Sequence, residues 1–131
     1  MRIASELLAD VVAHAREDAP NECCGMIASR DDRALAVHRA TNTAASPLRY
    51  EIDGGEQYAI QRGIDRAGYD LGAIYHSHTR SAPYPSQTDI NLAFHPDSLY
   101  VIVGLAGGGE ADVRAYTIRN GEVQEVELVV D

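Results

Sequence analysis

The sequence predicts an α/β protein in which one mixed β-sheet is flanked by helices. Two observations lead to this fold class. Segments with apolar residues at helical spacing alternate with short apolar or β-branched runs of strand length. The chain also shows no internal repeat, low-complexity tract or linker, so one layered architecture is the economical solution. With 131 residues the chain is near the common domain size, and we expect residues 1–131 to form a single domain.

The first half of the chain is predicted to contain two helices with two strands between them. A buried strand is expected from Cys24 to Ala28, and Asp31-Asp32 is a turn into a second strand. The second helix opens at Gly54-Gly55 and ends near Gly68. The first helix should end before Pro20, and its apolar residues three and four apart are Ile3, Leu7, Leu8, Val11, Val12 and Ala15.

The second half is predicted to hold four strands, the last two of which form a hairpin, and a third helix. The apolar strand Leu71 to Tyr75 leads into a histidine-rich segment, and a helix is expected from Ser86 to Phe94. Leu99 to Leu105 is rich in β-branched residues, which favours a central strand covered on both faces. Val113 to Ile118 follows, and Asn120-Gly121 predicts a type I′ hairpin. We expect one last strand from Val123 to Val130.

Composition narrows the possible partners and the compartment. Eleven basic against twenty acidic residues give a net charge of −9, which argues against nucleic acid or an anionic membrane as a partner. The acidic surface suits a basic protein partner or serves only solubility. No apolar run approaches the roughly 20 residues of a membrane span, and the N-terminus lacks a signal-peptide core. The only cysteines, Cys23 and Cys24, are adjacent and rarely pair in that arrangement, so we expect a reducing, cytoplasmic setting.

His76-Ser77-His78 and Asp89 are the candidate metal ligands. On a strand, side chains two residues apart point the same way, so His76 and His78 can face one metal ion. Pro83 and Pro85 break regular structure after this strand, and the loop should return Asp89 on the first turn of the next helix. Three protein ligands with one open position are typical of a catalytic Zn²⁺ site.

Two further residues have both a structural and a chemical interpretation. Ser86 and Asp89 have the spacing of a helix capping box, which does not prevent Asp89 from also binding a metal. A zinc hydrolase needs a proton carrier, and the chain has no His-Glu-x-x-His helix to supply one. Glu22, at the start of the first long strand, is the best-placed candidate, although such a residue is often only a solvated glutamate.

The chain resembles the JAMM (MPN+) metalloprotease family. The resemblance rests on Glu22 in the segment NECCGMI, followed by His-Ser-His, seven residues, Ser, two residues and Asp. Thr79 stands where the family usually has proline. The resemblance implies a cytidine-deaminase-like JAB1/MPN fold, and a zinc isopeptidase acting on the C-termini of ubiquitin-like proteins. The segments TNTAASPLRYEIDGGEQ and IYHSHTRSAPYPSQTDINLA resemble a small bacterial branch that releases cysteine from the Gly-Gly end of a ubiquitin-like sulfur-carrier protein.

The family resemblance also implies a role for each motif residue. His76, His78 and Asp89 would hold Zn²⁺, with water in the fourth position. Glu22 would accept a proton from the attacking water and return it to the leaving amine. The Ser86 hydroxyl would help to stabilise the oxyanion. The alternatives are a broader isopeptidase that cuts modifiers from protein lysines, and a binding module that has lost catalysis. The sequence predicts no oligomeric state.

The remaining polar residues receive simpler interpretations. Cys23 and Cys24 are more typical of core packing than of a nucleophile. His14 and His38 are predicted to lie at the surface, and His95 at the C-terminal end of the third helix. The polar segment from Asn42 to Tyr50 is either an ordinary loop or a place where a carrier tail binds by strand addition.

Overall fold

The computed structural model describes residues 1–131 and contains eight strands and three helices. None of the helices is long and apolar enough to cross a membrane. In chain order the elements are β1 (Arg2–Ile3), α1 (Ser5–Asp18), β2 (Cys24–Arg30), β3 (Arg33–Ala40), α2 (Gly54–Arg66), β4 (Asp70–His78), α3 (Gln87–Asn91), β5 (Leu99–Gly104), β6 (Asp112–Arg119), β7 (Glu122–Val126) and β8 (Val129–Val130).

All eight strands form one mixed sheet, as predicted. Their order is β7-β6-β5-β4-β2-β3-β1-β8. The β4–β5, β1–β3 and β1–β8 pairs are parallel, and the other pairs are antiparallel. β4 therefore lies inside the sheet between β2 and β5, with both of its edges hydrogen-bonded.

The two faces of the sheet are covered by different helices. On one face Val11 and Ala15 of α1 pack in a cluster with Ile27, Tyr75 and Val101. On the other face α2 supplies Ile64, while Ile90 of the α3 segment packs against Ile74 and Ile102. Because neighbouring strand residues alternate between faces, His76 and His78 lie on the face of α2 and α3, opposite to Tyr75.

The prediction of one final strand from Val123 to Val130 is wrong. β7 lies at one edge of the sheet and β8 at the other, separated along the chain only by residues 127–128. The sheet is therefore strongly curled. β8 pairs in parallel with β1, with Arg2 beside Val129, and the carboxylate of Asp131 meets the guanidinium of Arg33 at 2.9 Å. This pairing joins the two ends of the chain, a contact that local sequence patterns do not record.

Three boundaries also differ from the predicted ones. Ile3 belongs to β1 rather than to the first helix, because Arg2–Ile3 pairs with β3 and β8. β4 continues through the histidines to His78. α3 ends at Asn91 rather than at Phe94. The predicted hairpin turn is confirmed, since Asn120 and Gly121 have φ values of 53° and 78°, as a type I′ turn requires.

Candidate metal centre

Three side chains converge at the C-terminal end of β4. The Nε2 atoms of His76 and His78 lie 3.2 Å apart, and they lie 3.1 and 3.0 Å from Oδ2 of Asp89. All three residues are buried. Ligand atoms held 2.0–2.1 Å from a tetrahedral ion are roughly 3.3 Å from one another. The spacing of this cluster therefore fits a bound metal ion, and the donor set of two imidazoles and one carboxylate suits Zn²⁺.

The surroundings of the imidazoles set their orientation. Nδ1 of His78 lies 2.8 Å from the carbonyl oxygen of Ala82, so this nitrogen carries the proton and donates it. In the neutral ring the Nε2 lone pair then faces Asp89 and His76, as a metal ligand requires. The ring of Tyr50 stacks on His76, with centroids 4.6 Å apart and an angle of 26° between the planes.

The charge states of the cluster follow from its burial and its hydrogen bonds. Burial lowers the pKa of His76 and so favours its neutral form. Burial alone would raise the pKa of Asp89, but the imidazoles of His76 and His78 beside its Oδ2 outweigh this effect and lower that pKa well below its usual range. A neutral imidazole and an ionised carboxylate are the forms that bind a cation.

Asp89 is held by the start of α3. The predicted capping box is confirmed, because Asp89 N–H donates to Oγ of Ser86 at 3.1 Å, and Ser86 N–H donates to Oδ2 of Asp89 at 2.9 Å. Oδ2 is the oxygen that faces both histidines. The cap therefore orients the carboxylate, and the hydroxyl proton of Ser86 remains available to donate into the site.

Glu22 lies two residues before the start of β2, near His78 and Asp89. Its side chain is buried, and its Oε1 has no hydrogen-bond partner. Burial raises the pKa of Glu22 to about 7; the nearby charge of His78 opposes this change, and that of Asp89 adds to it. A buried carboxyl group with a free oxygen and a pKa near neutrality is suited to accepting and returning a proton.

Two polar side chains bind the backbone of Glu22 and its neighbour Cys23, and the sequence pattern predicts neither contact. Ser77 points to the opposite face from the histidines, and its Oγ accepts the N–H of Cys23 at 2.8 Å. The side-chain amide of Asn42 donates to the carbonyl oxygens of Glu22 and Arg49, at 2.9 and 3.0 Å. Strand alternation shows only that Ser77 faces away from the metal ligands, and nothing in the sequence pairs Asn42 with Glu22.

The loop between β3 and α2 forms the wall of the site on the His76 side. Asn42 also accepts the N–H groups of Ala44 and Glu51, each at 3.0 Å, and so closes residues 42–51 into a compact loop. This loop brings Tyr50 onto His76 and contributes to an apolar cavity of about 350 Å³. The segment contains no strand of its own.

The other histidines differ from their predicted positions. His14 is buried rather than at the surface, because its Nδ1 lies 2.6 Å from the hydroxyl of Tyr75 and its Nε2 lies 3.3 Å from Asp18. His38 is only half-buried on β3. His95 lies beyond the end of α3, with Nε2 3.5 Å from the side-chain amide of Gln57, so it cannot act on the helix dipole.

The two cysteines are free and buried on opposite faces of the sheet. Cys23 packs in the α1 cluster, while Cys24 lies across from His76 in the β2–β4 pair. Burial raises the pKa of each thiol to about 12. A thiol with such a pKa is a poor nucleophile near neutrality, so the structure supports the core-packing interpretation.

The fold and the buried cluster place this chain among the metallopeptidase-type proteins that have the JAB1/MPN fold. The JAB1/MPN domain protein AF2198 from Archaeoglobus fulgidus superposes with a TM-score of 0.68 at 22% identity, covering 99% of this chain and 98% of that one. Residues 4–119 match the family model described as prokaryotic homologs of the JAB domain. The chain belongs to this family, and it is a hydrolase of the JAMM metallopeptidase type.

Two curated relatives extend the comparison along almost the whole chain. The CysO-cysteine peptidase of Mycobacterium tuberculosis is 40% identical over 125 residues, which cover 94% of this chain and 86% of the relative. The desampylase of Haloferax volcanii is 33% identical over 138 residues, which cover 100% of this chain and 96% of the relative.

Proposed function

We propose that this protein is a zinc-dependent peptidase that hydrolyses the bond after the C-terminal Gly-Gly of a ubiquitin-like sulfur-carrier protein and thereby releases cysteine. The observation that carries the proposal is the buried cluster of His76, His78 and Asp89 with the unpaired carboxyl group of Glu22 beside it. The name of the mycobacterial relative, a CysO-cysteine peptidase, supports the choice of substrate.

The residues of the site would have separate roles in the reaction. His76, His78 and Asp89 would hold Zn²⁺, which when bound supplies a Lewis acid that activates water and polarises the scissile carbonyl. Glu22 takes a proton from the attacking water as the new C–O bond forms at the terminal glycine. As the C–N bond breaks, Glu22 gives that proton to the departing amine, so the carboxyl group ends the cycle in its starting state.

Ser86 would stabilise the negative charge that develops on the carbonyl oxygen. Its Oγ already accepts the Asp89 amide, and its hydroxyl proton is free to donate. A preorganised donor of this kind contributes about 3 kcal/mol to lowering the barrier. Ser86 would therefore serve as helix cap and oxyanion donor at the same time.

The cysteines, the sheet and the net charge support the compartment and the partner class that we propose. The free and buried Cys23 and Cys24 suit a reducing compartment, and we place the reaction in the cytoplasm. One continuous sheet runs through both ends of the chain, which supports residues 1–131 acting as a single domain. The net charge of −9 gives no support to nucleic acid or an anionic membrane as a partner.

Two conjugates offered side by side test the proposal. One is a carrier ending in Gly-Gly-Cys, and the other is the same carrier joined to a protein lysine. Intact-mass spectrometry with the zinc-loaded protein should show loss of cysteine from the first, faster than cleavage of the second, and a chelator should stop the reaction. Cleavage of the lysine conjugate alone would make the protein a broader isopeptidase of ubiquitin-like modifiers.

The remaining alternative is a non-catalytic binding module. It predicts that neither conjugate is cut, that the purified protein lacks zinc, and that Glu22→Ala changes nothing measurable. The complete set of three buried ligand side chains argues against this alternative, because burying two histidines and a carboxylate without a function for them is costly.

A further inference from the structure

The loop of residues 79–85 joins the two parts of the candidate metal centre. It begins directly after His78, the last residue of β4, and it leads into Ser86, the cap that orients Asp89. The loop contains no helix or strand of its own. Its attachment to the sheet therefore helps to set how the imidazole of His78 and the carboxylate of Asp89 lie relative to each other.

Gly104 leaves room for this loop beside His78. It is the last residue of β5 and pairs with His78 in the parallel β4–β5 register, so a side chain at position 104 would project from the same face as the imidazole. The ring of Pro83 occupies that space. A Cβ atom on Gly104 would lie only 2.9 Å from Cδ and 3.0 Å from Cγ of Pro83, which is closer than ordinary van der Waals contact. Any larger residue at this position would therefore push the loop away from the sheet.

Tyr116 holds the same loop from β6. Its hydroxyl donates to the carbonyl oxygen of Pro83, and its ring meets that of Tyr84 edge-on, with centroids 5.6 Å apart. The side chain of Tyr116 is itself buried in an apolar cluster with Ile102, on the face of the sheet that carries the histidines. The loop is thus fixed to a rigid part of the core.

The hydrogen bond of Tyr116 is one peptide group away from a contact of the metal centre. The carbonyl oxygen of Ala82 lies 2.8 Å from Nδ1 of His78 and accepts its proton. A carbonyl in this position fixes the tautomer and the ring orientation of a metal-binding histidine. Because the carbonyl group of Ala82 is in one plane with the nitrogen of Pro83, a shift of Pro83 also moves the oxygen that His78 binds.

We propose that Tyr116 is a positioning residue for the metal centre: it holds Pro83 against Gly104 and so presents the carbonyl oxygen of Ala82 to His78. The inference rests on the metal site of the proposed function and adds a residue that preorganises this site. It does not depend on the identity of the substrate. Preorganisation raises metal affinity, because a loop that is already ordered loses little conformational entropy when the ion binds.

The zinc affinity of Tyr116→Phe tests this role without any measurement of activity. Phenylalanine keeps the ring in its apolar cluster but cannot donate to Pro83. We expect the Kd for Zn²⁺, measured by competition with a chromophoric chelator, to rise about 3- to 10-fold, the effect of one lost hydrogen bond. Gly104→Ala displaces the loop through a different contact and should raise the Kd by at least as much.

Tyr100→Phe is the matched control. Tyr100 lies opposite Tyr116 in the β5–β6 pair, on the same face and equally buried, with 3% of each residue exposed. Its hydroxyl also binds the backbone, because it accepts the N–H of His95 at 3.1 Å, but His95 belongs to the segment after α3. Tyr100→Phe should therefore destabilise the metal-free protein in urea about as much as Tyr116→Phe, and it should leave the Kd for Zn²⁺ unchanged.

Nuclear magnetic resonance of the Nδ1 proton of His78 adds a second readout that a purely structural role would not change. In the zinc-loaded wild type and in Tyr100→Phe this proton should exchange slowly with water, and in Tyr116→Phe it should exchange several-fold faster. An unchanged Kd in Tyr116→Phe, or an equal rise in Tyr100→Phe, would overturn the inference and leave the peptidase function intact. If the folded wild type binds no zinc, the proposed function fails, and this inference fails with it.

Discussion

The backbone N–H of Ser86 lies 2.9 Å from Oδ2 of Asp89, the same carboxylate oxygen that faces His76 and His78. One short helix start thus orients a candidate metal ligand while its capping hydroxyl stays free to donate. The cap and the site share atoms, so a substitution at Ser86 acts on both. A substitution that keeps the helix cap but removes the hydroxyl can separate the effect on the cap from the effect on the site.

Ser86→Gly should separate the cap from the chemistry. Glycine replaces serine at a helix N-cap with a loss of only a few tenths of a kcal/mol, but it has no hydroxyl. We expect near-normal stability in urea unfolding and a kcat about 100- to 1,000-fold lower. Ser86→Thr keeps a hydroxyl and should retain much more activity. A fully active Ser86→Gly would rule out the oxyanion role.

Glu22→Gln should stop proton transfer without removing the metal. The amide has nearly the same shape as the carboxyl group but cannot carry the proton, so kcat should fall by about 100- to 10,000-fold. Zinc content, measured by inductively coupled plasma mass spectrometry, should match that of the wild type. Glu6→Gln, an exposed change on α1, is the control and should alter neither quantity. Normal turnover by Glu22→Gln would require a different base.

Buried His14 should make stability depend on pH. Burial lowers its pKa below the ordinary 6.5, despite the nearby carboxylate of Asp18. Below pH 6.5 the unfolded chain therefore binds a proton that the folded protein does not. Stability should fall as the pH drops, by up to about 1.4 kcal/mol per pH unit. Urea unfolding at pH 7.5 and 5.5 should show a smaller change for His14→Gln than for the wild type. An identical change in both proteins would contradict this assignment.

Cys23 and Cys24 should be inert in the native protein. Their pKa values of about 12 leave almost no thiolate at pH 8, and both side chains are buried. Iodoacetamide should therefore modify neither cysteine before denaturation and both after it, as counted by peptide mass spectrometry. Rapid native modification that also removes activity would revive a nucleophilic role for one of the thiols.

The sequence predicted best the features that depend on neighbouring residues. The strand through His76 and His78, the loop after it and the capping box at Ser86 all follow from spacing within fourteen residues of one another. Glu22 lies more than fifty residues away along the chain, so its choice rested on its predicted position at the start of a strand and on the family resemblance rather than on spacing.

The features that the sequence did not predict are long-range contacts. The bond between His14 and Tyr75, the stacking of Tyr50 on His76 and the pairing of β8 with β1 join distant segments. A histidine at the polar side of an amphipathic pattern predicts exposure, and only the partner across the core shows otherwise. The apolar run from Val123 to Val130 likewise could not show that it divides between two edges of the sheet.

Zinc stoichiometry is the most direct test of the central claim that His76, His78 and Asp89 form a metal site. Inductively coupled plasma mass spectrometry should find one zinc per chain in the dialysed wild-type protein, and far less in Asp89→Asn, which keeps the shape but loses the charge. Asp53→Asn, which changes an exposed cap on α2, is the matched control and should retain the metal. A folded wild-type protein that binds no zinc, or an Asp89→Asn variant that binds it fully, would contradict the account.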